Sequence, residues 1–590
     1  MRLSRIHIAI AVAILALIVA PLVLSSFTMS LLNYIGVYAL VAIGLALLTG
    51  VGGIVSFGQA AFVGVGAYAT AWLTTALGYS PWLGLVFALA LTCGVAAILG
   101  AATLRLEGHF LSLSTLAWGL AIGFLFGNVE TLGSHSGLSG LPPISIFGVR
   151  LMQSAQIYYL IWACVIVALV LMYNLLDSRL GRAIRALRGG NVLVESLGVS
   201  AFGVKLTVFV VAAFLAALSG WLYAHMSRFV SPATFEAGMG IEYLMMAMIG
   251  GQGSMIGAVL GAAIVTFLKN AIQDYLPLIA PGVSGQLEIV AFAAIFIVFL
   301  QRARRGIVPW IADRLPAAPQ AQPTTHAPGL SPRAQPAPGA PLLKVDQVVR
   351  RFGGLTAVNL VSFEVRAAEI VGLIGPNGAD KSTMFNLLTG ALAMDSGAID
   401  FEGRSLRKLP QRDIARAGIA RTFQHVKLRP RMSVIDNVLL GVHARTQAGL
   451  VAGMLRLDRA EEASARNEAM RQLKRVGLGD HAFDPAGNLP LGKQRLVEIA
   501  RALAADPILL VLDEPAAGLR RNEKLELVAL LKELRADGLT ILLVEHDMEL
   551  VMSVVDRIVV MDFGSKLCEG LPAEIRADKR VQEAYLGSLA

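Results

Sequence analysis

Cysteine is nearly absent. Cys93, Cys164 and Cys568 are the only 3 in 590 residues, two of them in apolar runs, so no disulfide framework holds this chain together. Charge is also thin, at 15% against 55% hydrophobic residues, which excludes a disordered or fully solvated protein. The shortage is uneven: most charged residues follow about position 300, so the front half reads as membrane class and the back half as a soluble domain. The formal net charge of +9 is the excess that basic cytoplasmic loops give a membrane protein, and no nucleic-acid-binding motif accompanies it. The length exceeds what one core can organise.

Apolar stretches near the ~20 residues that span a bilayer lie at about 7–27, 32–50, 59–78, 82–104, 109–128, 158–176, 207–227 and 286–302. The first has the basic start of a signal peptide, but its length and the spans that follow identify it as a membrane helix. Between the last two lies IEYLMMAMIGGQGSMIGAVLGAAIVTFLKN, interrupted by GGQGS at 250–254. Arg2 and Arg5, the loop 177–205 with Arg179, Arg182, Arg185, Arg188 and Lys205, and QRARR at 301–305 should all be cytoplasmic. That requires an even number of crossings. The interrupted stretch therefore splits, giving about ten membrane segments, the one at 241–250 short or re-entrant.

Glu288, at the start of the last span, reads either as a substrate or coupling group or as an interfacial residue. The stretches GVGGIVSFGQAAFVGVGAY (50–68) and GGQGS allow close helix packing or unwound backbone along a pathway. In the loop 177–205 the arginines at 182, 185 and 188 recur at helical spacing, which fits either a lipid-headgroup anchor or a helix that docks a soluble motor.

A Pro/Ala-rich segment then separates the halves as an extended spacer, dividing the chain into 1–310, a linker 311–342 and 343–590. The back half alternates β and α patterns. AEIVGLIG is a buried strand that enters GPNGADKST at 375–383, and KSTMFNLLTG is the helix that leaves it. This is the setting of a phosphate-binding P-loop, with Lys381 to reach phosphates and Ser382 for Mg²⁺. Every fixed position of G-x-x-x-x-G-K-[ST] is met except the second glycine, replaced by Asp380. Downstream, ILLVLDEPAAGL ends a strand in Asp513 and Glu514, one carboxylate suited to Mg²⁺ and the next to polarising an attacking water. Gln424 in TFQ, LPLGKQRLVEIARAL at 489–503 and His546 in ILLVEHD complete the set.

Residues 343–590 resemble the nucleotide-binding domain of ABC transporters, most closely the ATPase subunits of bacterial branched-chain amino acid importers. The strings that carry this are RFGGLTAV, AEIVGLIGPNGADKST, GIARTFQ, EIARALAADP, LDEPAAGL and LLVEHDMELVM. The front half is similar to the permease of the same system through YALVAIGLALLTG, SFGQAAFVGVGAY, GRAIRALRGGN, ESLGVSAFGVKL, FVSPATF and MIGGQGSMIGAVLGAA. The resemblance implies a polytopic all-α membrane domain followed by an α/β P-loop NTPase domain with a helical subdomain.

It also implies roles. Phe352 would stack on adenine, and Gly375, Asn377, Gly378, Ala379, Asp380, Lys381, Ser382 and Thr383 would wrap the phosphates of ATP. Ser382, Asp513 and Gln424 would serve Mg²⁺, Glu514 would be the general base, and Gln424 and His546 would sense the γ-phosphate. Leu489, Pro490, Leu491, Gly492, Lys493 and Gln494 take the place of the signature that completes a partner's site. Arg182, Arg185, Arg188 and Glu195 fall in the coupling segment. The implied partners are a second permease and a second ATPase, as different chains or as a second copy of this one, and a periplasmic binding protein. The cargo would be branched-chain or related amino acids, with urea, amides and aromatic acids as alternatives, at the bacterial inner membrane.

The chain departs from the family pattern at Pro490, Leu491 and Lys493, at Arg520 and Arg521 after AAGL, and at Gly189 and Gly190, where acidic residues are common. Asp380 is the largest departure. A carboxylate ~5 Å from a phosphate, at an effective dielectric of ~20, costs about 3 kcal/mol per unit charge, on the order of a hundredfold in affinity. It could instead occupy the anion-binding helix N-terminus or divert Lys381. Three readings stay open: a degenerate site in a heterodimer whose partner supplies the working P-loop, a weak but working site, or a change introduced by sequencing or cloning. A regulatory membrane pseudo-ATPase is the reading from another class.

Overall fold

The computed structural model describes residues 15–106, 108–279, 286–303, 305–312, 328–376 and 378–586, so the start of the first expected span and Asn377 lie outside the described residues. The chain forms two compact units. After a helical stretch over 15–23, within the first expected span, come α1 (Ser26–Leu45, prolonged by a π-helical turn Ala46–Val51), α2 (Gln59–Thr75), α3 (Pro81–Thr103), α4 (His109–Asn128) and α5 (Ser154–Leu176). Then come α6 (Arg179–Ala186), α7 (Asn191–Ser196), α8 (Ala201–Ser227), α9 (Ala237–Gly250), α10 (Met255–Ile279) and α11 (Gln286–Arg302).

The first unit holds the apolar helices. Ser25 and Ser80 cap α1 and α3 by accepting from the Thr28 and Leu83 amides, and Pro81 stands at the first turn, where no donor is lost. Among the described residues six helices are long and apolar enough to cross a membrane: α1 with its π turn, α3, α4, α5, α8 and α10. Helices α2 and α11 have 17 residues and α9 has 14, so the stretches expected at 59–78, 241–250 and 286–302 are shorter helices. The interrupted stretch does split, with α9 and α10 separated at Gly251–Ser254. Glycine brings the halves together: a Cβ on Gly261 would lie 1.9 Å from the Met246 carbonyl oxygen. The two glycine-rich stretches also meet, since a Cβ on Gly50 would lie 2.4 Å from the Gly253 nitrogen. Glu288 falls on α11, and its side chain lies outside the described residues.

The second unit joins Asp177–Ala201, carrying α6 and α7, to the chain from Pro319 onward. Its strands are β1 (Pro341–Phe352), β2 (Leu355–Arg366), β3 (Ile370–Ile374), β4 (Ser396–Phe401), β5 (Arg404–Ser405), β6 (Ile419–Arg421), β7 (Leu509–Asp513), β8 (Thr540–Val544), β9 (Arg557–Asp562) and β10 (Ser565–Gly570). The main sheet runs β6-β7-β8-β3-β9-β10, parallel except for β10, and an antiparallel sheet runs β2-β1-β4-β5. Every residue of β3, β7 and β8 is buried, as continuous apolar strands covered on both faces should be. Helix α12 (Lys381–Leu388) follows β3; α13 (Arg459–Arg475) and α14 (Leu491–Ala504) pack in a helical subdomain around Val438, Ala469, Leu473 and Val497.

The second half of the linker is fastened, which the expectation of a free spacer did not include. Arg333 donates to the Arg416 carbonyl at 3.0 Å and Gln335 to the Pro507 carbonyl at 3.2 Å, while Arg445 donates to the Ser331 carbonyl at 3.1 Å.

Candidate functional site

Because β7, β8 and β3 are neighbours in a parallel sheet, their C-terminal ends bring three loops side by side, the usual ligand position in such sheets. From β3 comes the P-loop. Lys381 is buried at the first position of α12, and its Nζ donates to the carbonyls of Gly375 at 2.7 Å and Pro376 at 3.0 Å. Burial pushes its pKa down, and the carboxylates of Glu514, Asp380 and Asp513 pull it back up. The expected diversion of Lys381 by a direct bond to Asp380 is therefore not what the structure has; the loop carbonyls hold the ammonium. Ala379 is buried, and Gly378 and Ser382 are exposed at the mouth of the loop.

Asp380 adopts a left-handed backbone, φ 57° and ψ 30°. This is a second reason for glycine there: a side chain in that region costs about 1–2 kcal/mol, less for Asp and Asn. Its Oδ1 accepts from the Thr383 hydroxyl at 3.1 Å, which places the carboxylate over the first turn of α12. The side chain makes no capping bond to the α12 amides, so the expected occupation of the helix N-terminus is not what the structure has; the carboxylate stands beside the turn where a phosphate would bind.

From β7 come Asp513 and Glu514. The Asp513 amide donates to Thr422 Oγ1 at 3.2 Å; the residue is 4% exposed, and Oδ1 has no partner among the described residues. Burial pushes its pKa up, opposed by Arg421. Glu514 also has a left-handed backbone, φ 48°, the kind of strain that gathers at working sites. Gln424 Nε2 donates to Glu514 Oε2 at 3.3 Å, and His546 Nδ1, from the loop after β8, lies 3.9 Å from Glu514 Oε1. The neighbouring Glu545 is buried and accepts from the Ala516 amide at 2.7 Å, fixing one loop to the other.

These residues fit a nucleotide with Mg²⁺. An orphaned buried carboxylate oxygen on Asp513, an exposed Ser382 hydroxyl and the Gln424 amide are oxygen donors of the kind that hard cations take. Among the described residues there is no group of three or more His, Cys, Asp or Glu that could hold a metal; Mg²⁺ is commonly held by one or two carboxylates with substrate phosphates and water.

Phe352 ends β1, is 46% exposed and stacks on the Arg350 guanidinium at 4.9 Å. The signature segment lies elsewhere: Gln494 donates to the Leu489 carbonyl and Lys493 bonds His481, both at 2.8 Å, with Pro490 preceding α14, Leu491 exposed and Gly492 buried against Glu523. Sequence reasoning missed what ties this helix to Gln424. Arg495 donates to the Gln424 carbonyl at 2.9 Å, and the buried Arg501–Glu498 pair holds both backbone groups of Lys427.

The segment 177–201 is bonded to the helical subdomain. Arg182, buried, makes two bonds to Glu462 of α13 at 2.8 and 2.7 Å. Arg179 donates to the carbonyls of His443 and Ala448, and Arg416 donates to the Gly198 carbonyl at 2.9 Å. Glu195 accepts from the Ala201 amide at 2.8 Å and lies 3.8 Å from Arg412. Burial lowers the pKa of Arg185, opposed by Asp436; burial and the like charge of Arg431 lower that of Arg188. No sequence signal pairs Arg182 with Glu462, which stand in distant, individually ordinary charge-rich helices.

Comparison with known proteins bears on both halves. The family described as "Branched-chain amino acid transport system / permease component" matches residues 27–306, "ABC transporter" matches 358–517, and "Branched-chain amino acid ATP-binding cassette transporter" matches 565–589. Over 250 residues the chain is 49% identical to the high-affinity branched-chain amino acid transport ATP-binding protein LivG of Salmonella typhimurium, 48% to LivG of Escherichia coli and 43% to BraF of Pseudomonas aeruginosa. Each of these spans 42% of this chain and 98% of the relative. A solved nucleotide-free ATP-binding cassette from an ABC transporter is 29% identical over 41% of this chain and 98% of its own, with a TM-score of 0.37. The chain belongs to the branched-chain amino acid ABC transporter family, with a permease and an ATP-binding cassette fused in one polypeptide.

Proposed function

We propose that this chain is one permease and one ATPase of an ATP-driven importer for branched-chain or related amino acids at a bacterial inner membrane. The observation that carries the reading is the placement of Asp513, Glu514, Gln424 and His546 beside the P-loop at adjacent strand ends. Lys381 and the amides opening α12 bind the phosphates, and Phe352 offers an exposed ring to the base. Ser382, Asp513 and Gln424 hold Mg²⁺, which when bound neutralises developing phosphate charge. Glu514 takes the proton of the attacking water, oriented by Gln424 on one oxygen and His546 near the other. The signature segment 489–494, remote in its bonding from this chain's P-loop, serves a second cassette. Segment 177–201 carries the coupling, through Arg182 and Glu462 above all. A second permease, a second cassette and a periplasmic binding protein complete the transporter.

Asp380 supports a second reading, in which this cassette is the weaker half of a heteromeric motor. Its carboxylate stands beside the turn that should meet a phosphate, with the repulsion worth on the order of a hundredfold in ATP affinity. The test is uptake of radiolabelled leucine by cells that carry the whole transporter, with and without Glu514→Gln in this chain. Uptake that collapses in the variant supports a working site here. Uptake that persists favours the passive half, and absence of leucine uptake in the parent rejects the amino acid reading.

A further inference from the structure

A polar site lies within a stretch that reads in sequence as an interrupted apolar run. Helix α9 carries Glu242 and α10 carries Lys269, whose Nζ donates to Glu242 Oε1 at 2.8 Å. Both stand on the wall of a cavity of about 180 Å³ in the permease unit, together with Tyr34 and Tyr38 of α1 and Thr266 and Asn270 of α10. Thr266, Lys269 and Asn270 recur at helical spacing, as do Tyr34 and Tyr38, so each helix turns one polar face to the cavity. Apolar side chains, Met246 and Val265 among them, line the rest.

Depth makes the pair notable. At a rise of 1.5 Å per residue, Lys269 stands about 21 Å along α10 from Met255 and Glu242 about 12 Å along α9 from Gly250. Those two residues flank the same break, and the apolar core of a bilayer is about 30 Å thick. Both charges therefore lie within one bilayer thickness of that break, on helices of the permease unit. Lys269 lies on a helix long and apolar enough to cross a membrane; an ionisable group on such a helix is costly toward lipid, faces a bundle interior or a wet cavity, and marks the path of a substrate. The Lys269 and Glu242 side chains are 49% and 26% exposed and both line the cavity, so the pair is not sealed in packed protein. A cavity this size falls below the ~300–1,000 Å³ of drug-sized pockets, which limits its occupant to a small metabolite.

We infer that Glu242 and Lys269 form a binding site for an amino acid zwitterion on the translocation path, Glu242 taking the α-ammonium and Lys269 the α-carboxylate. The inference rests on the amino acid importer reading. An unliganded pair satisfies itself; a zwitterion exchanges one ion pair for two without adding net charge, so entry leaves no charge unmatched. Thr266, Asn270 and the tyrosines supply further hydrogen bonds, and the apolar wall receives the side chain.

The test is binding of radiolabelled leucine to the full chain in lipid nanodiscs, competed by 4-methylpentanoate, which lacks the ammonium, and by 3-methylbutylamine, which lacks the carboxylate. Glu242→Gln should weaken leucine about 10- to 100-fold and leave 4-methylpentanoate unchanged; Lys269→Gln should do the same with respect to 3-methylbutylamine. Equal weakening of all three ligands would mean that the pair only braces α9 against α10, and overturns the site. Should a glutamine variant lose its fold, Glu242→Asp and Lys269→Arg, which keep the pair, should retain the preference for leucine over both analogues; its loss there also overturns the site. Leucine uptake by the whole transporter, measured alongside, separates the two failures. Uptake without leucine binding to the wild-type chain sinks the site alone, and no uptake sinks the importer reading with it.

Discussion

The P-loop and the cluster around Glu514 sit at neighbouring strand ends and belong to one site, yet only the loop departs from the family pattern. The cluster works through side chains held by partners: Glu514 has Gln424 on one oxygen and His546 near the other, and Asp513 is anchored through Thr422. The loop works through its backbone, and there any side chain is an intrusion. One residue, Asp380, is enough to bring a left-handed backbone strain and a negative charge to the place where phosphate charge should go. Binding and chemistry are thus separable in this cassette, and substitutions can be chosen to strike one without the other.

The largest expected effect is on chemistry. Glu514→Gln should lower ATP hydrolysis by about 10²–10⁴-fold with nucleotide affinity nearly unchanged, checked by phosphate release and by ATP titration of the same protein. A comparable fall in affinity would merge the two halves again.

Next comes a change that should leave both halves intact. Arg182→Ala strands Glu462 in a largely buried setting, and breaking such a pair costs about 3–5 kcal/mol. Uptake should fall while basal hydrolysis and ATP affinity stay at parental values, and the exchange of Arg182 with Glu462 should recover part of the uptake. Loss of basal hydrolysis in Arg182→Ala would tie the coupling segment to the nucleotide site itself.

Third, Asp380→Gly should tighten Mg-ATP binding on the order of a hundredfold in the full chain, measured by titration. Unchanged affinity would remove the contrast between loop and cluster altogether.

Much of this was legible in the sequence, and for definable reasons. Continuous apolar runs marked β3, β7 and β8, because strands buried on both faces have no polar side to hide. The P-loop, Asp513, Glu514, Gln424 and His546 were visible because their chemistry needs fixed residue types at strand ends. What stayed hidden depends on pairing across the fold. Nothing local tells that Arg182 meets Glu462, that Arg495 holds the Gln424 carbonyl, or that the Pro-rich linker is fastened through Arg333 and Gln335. Glu242 and Lys269 were obscured for another reason. Each is a single charge at the edge of an apolar run, and only the folding of α9 back along α10 brings the two together. The backbone state of Asp380 was hidden as well, since a motif gives the residue type and not its dihedral angles.

The smallest effect would divide the Asp380 penalty between its two causes. Asp380→Asn keeps the size of the side chain and its tolerance of the left-handed region but removes the charge. If repulsion dominates, Asn should recover nearly all of the gain seen with Gly, falling short by less than about tenfold, a gap of roughly 1 kcal/mol that reflects side-chain bulk and backbone strain. If the side chain's intrusion dominates, Asn should stay near Asp and far from Gly. A titration of the two variants at low and high salt adds an independent sign: screening should narrow the difference between Asp and Asn, because it acts on charge, and should leave the difference between Asn and Gly where it was.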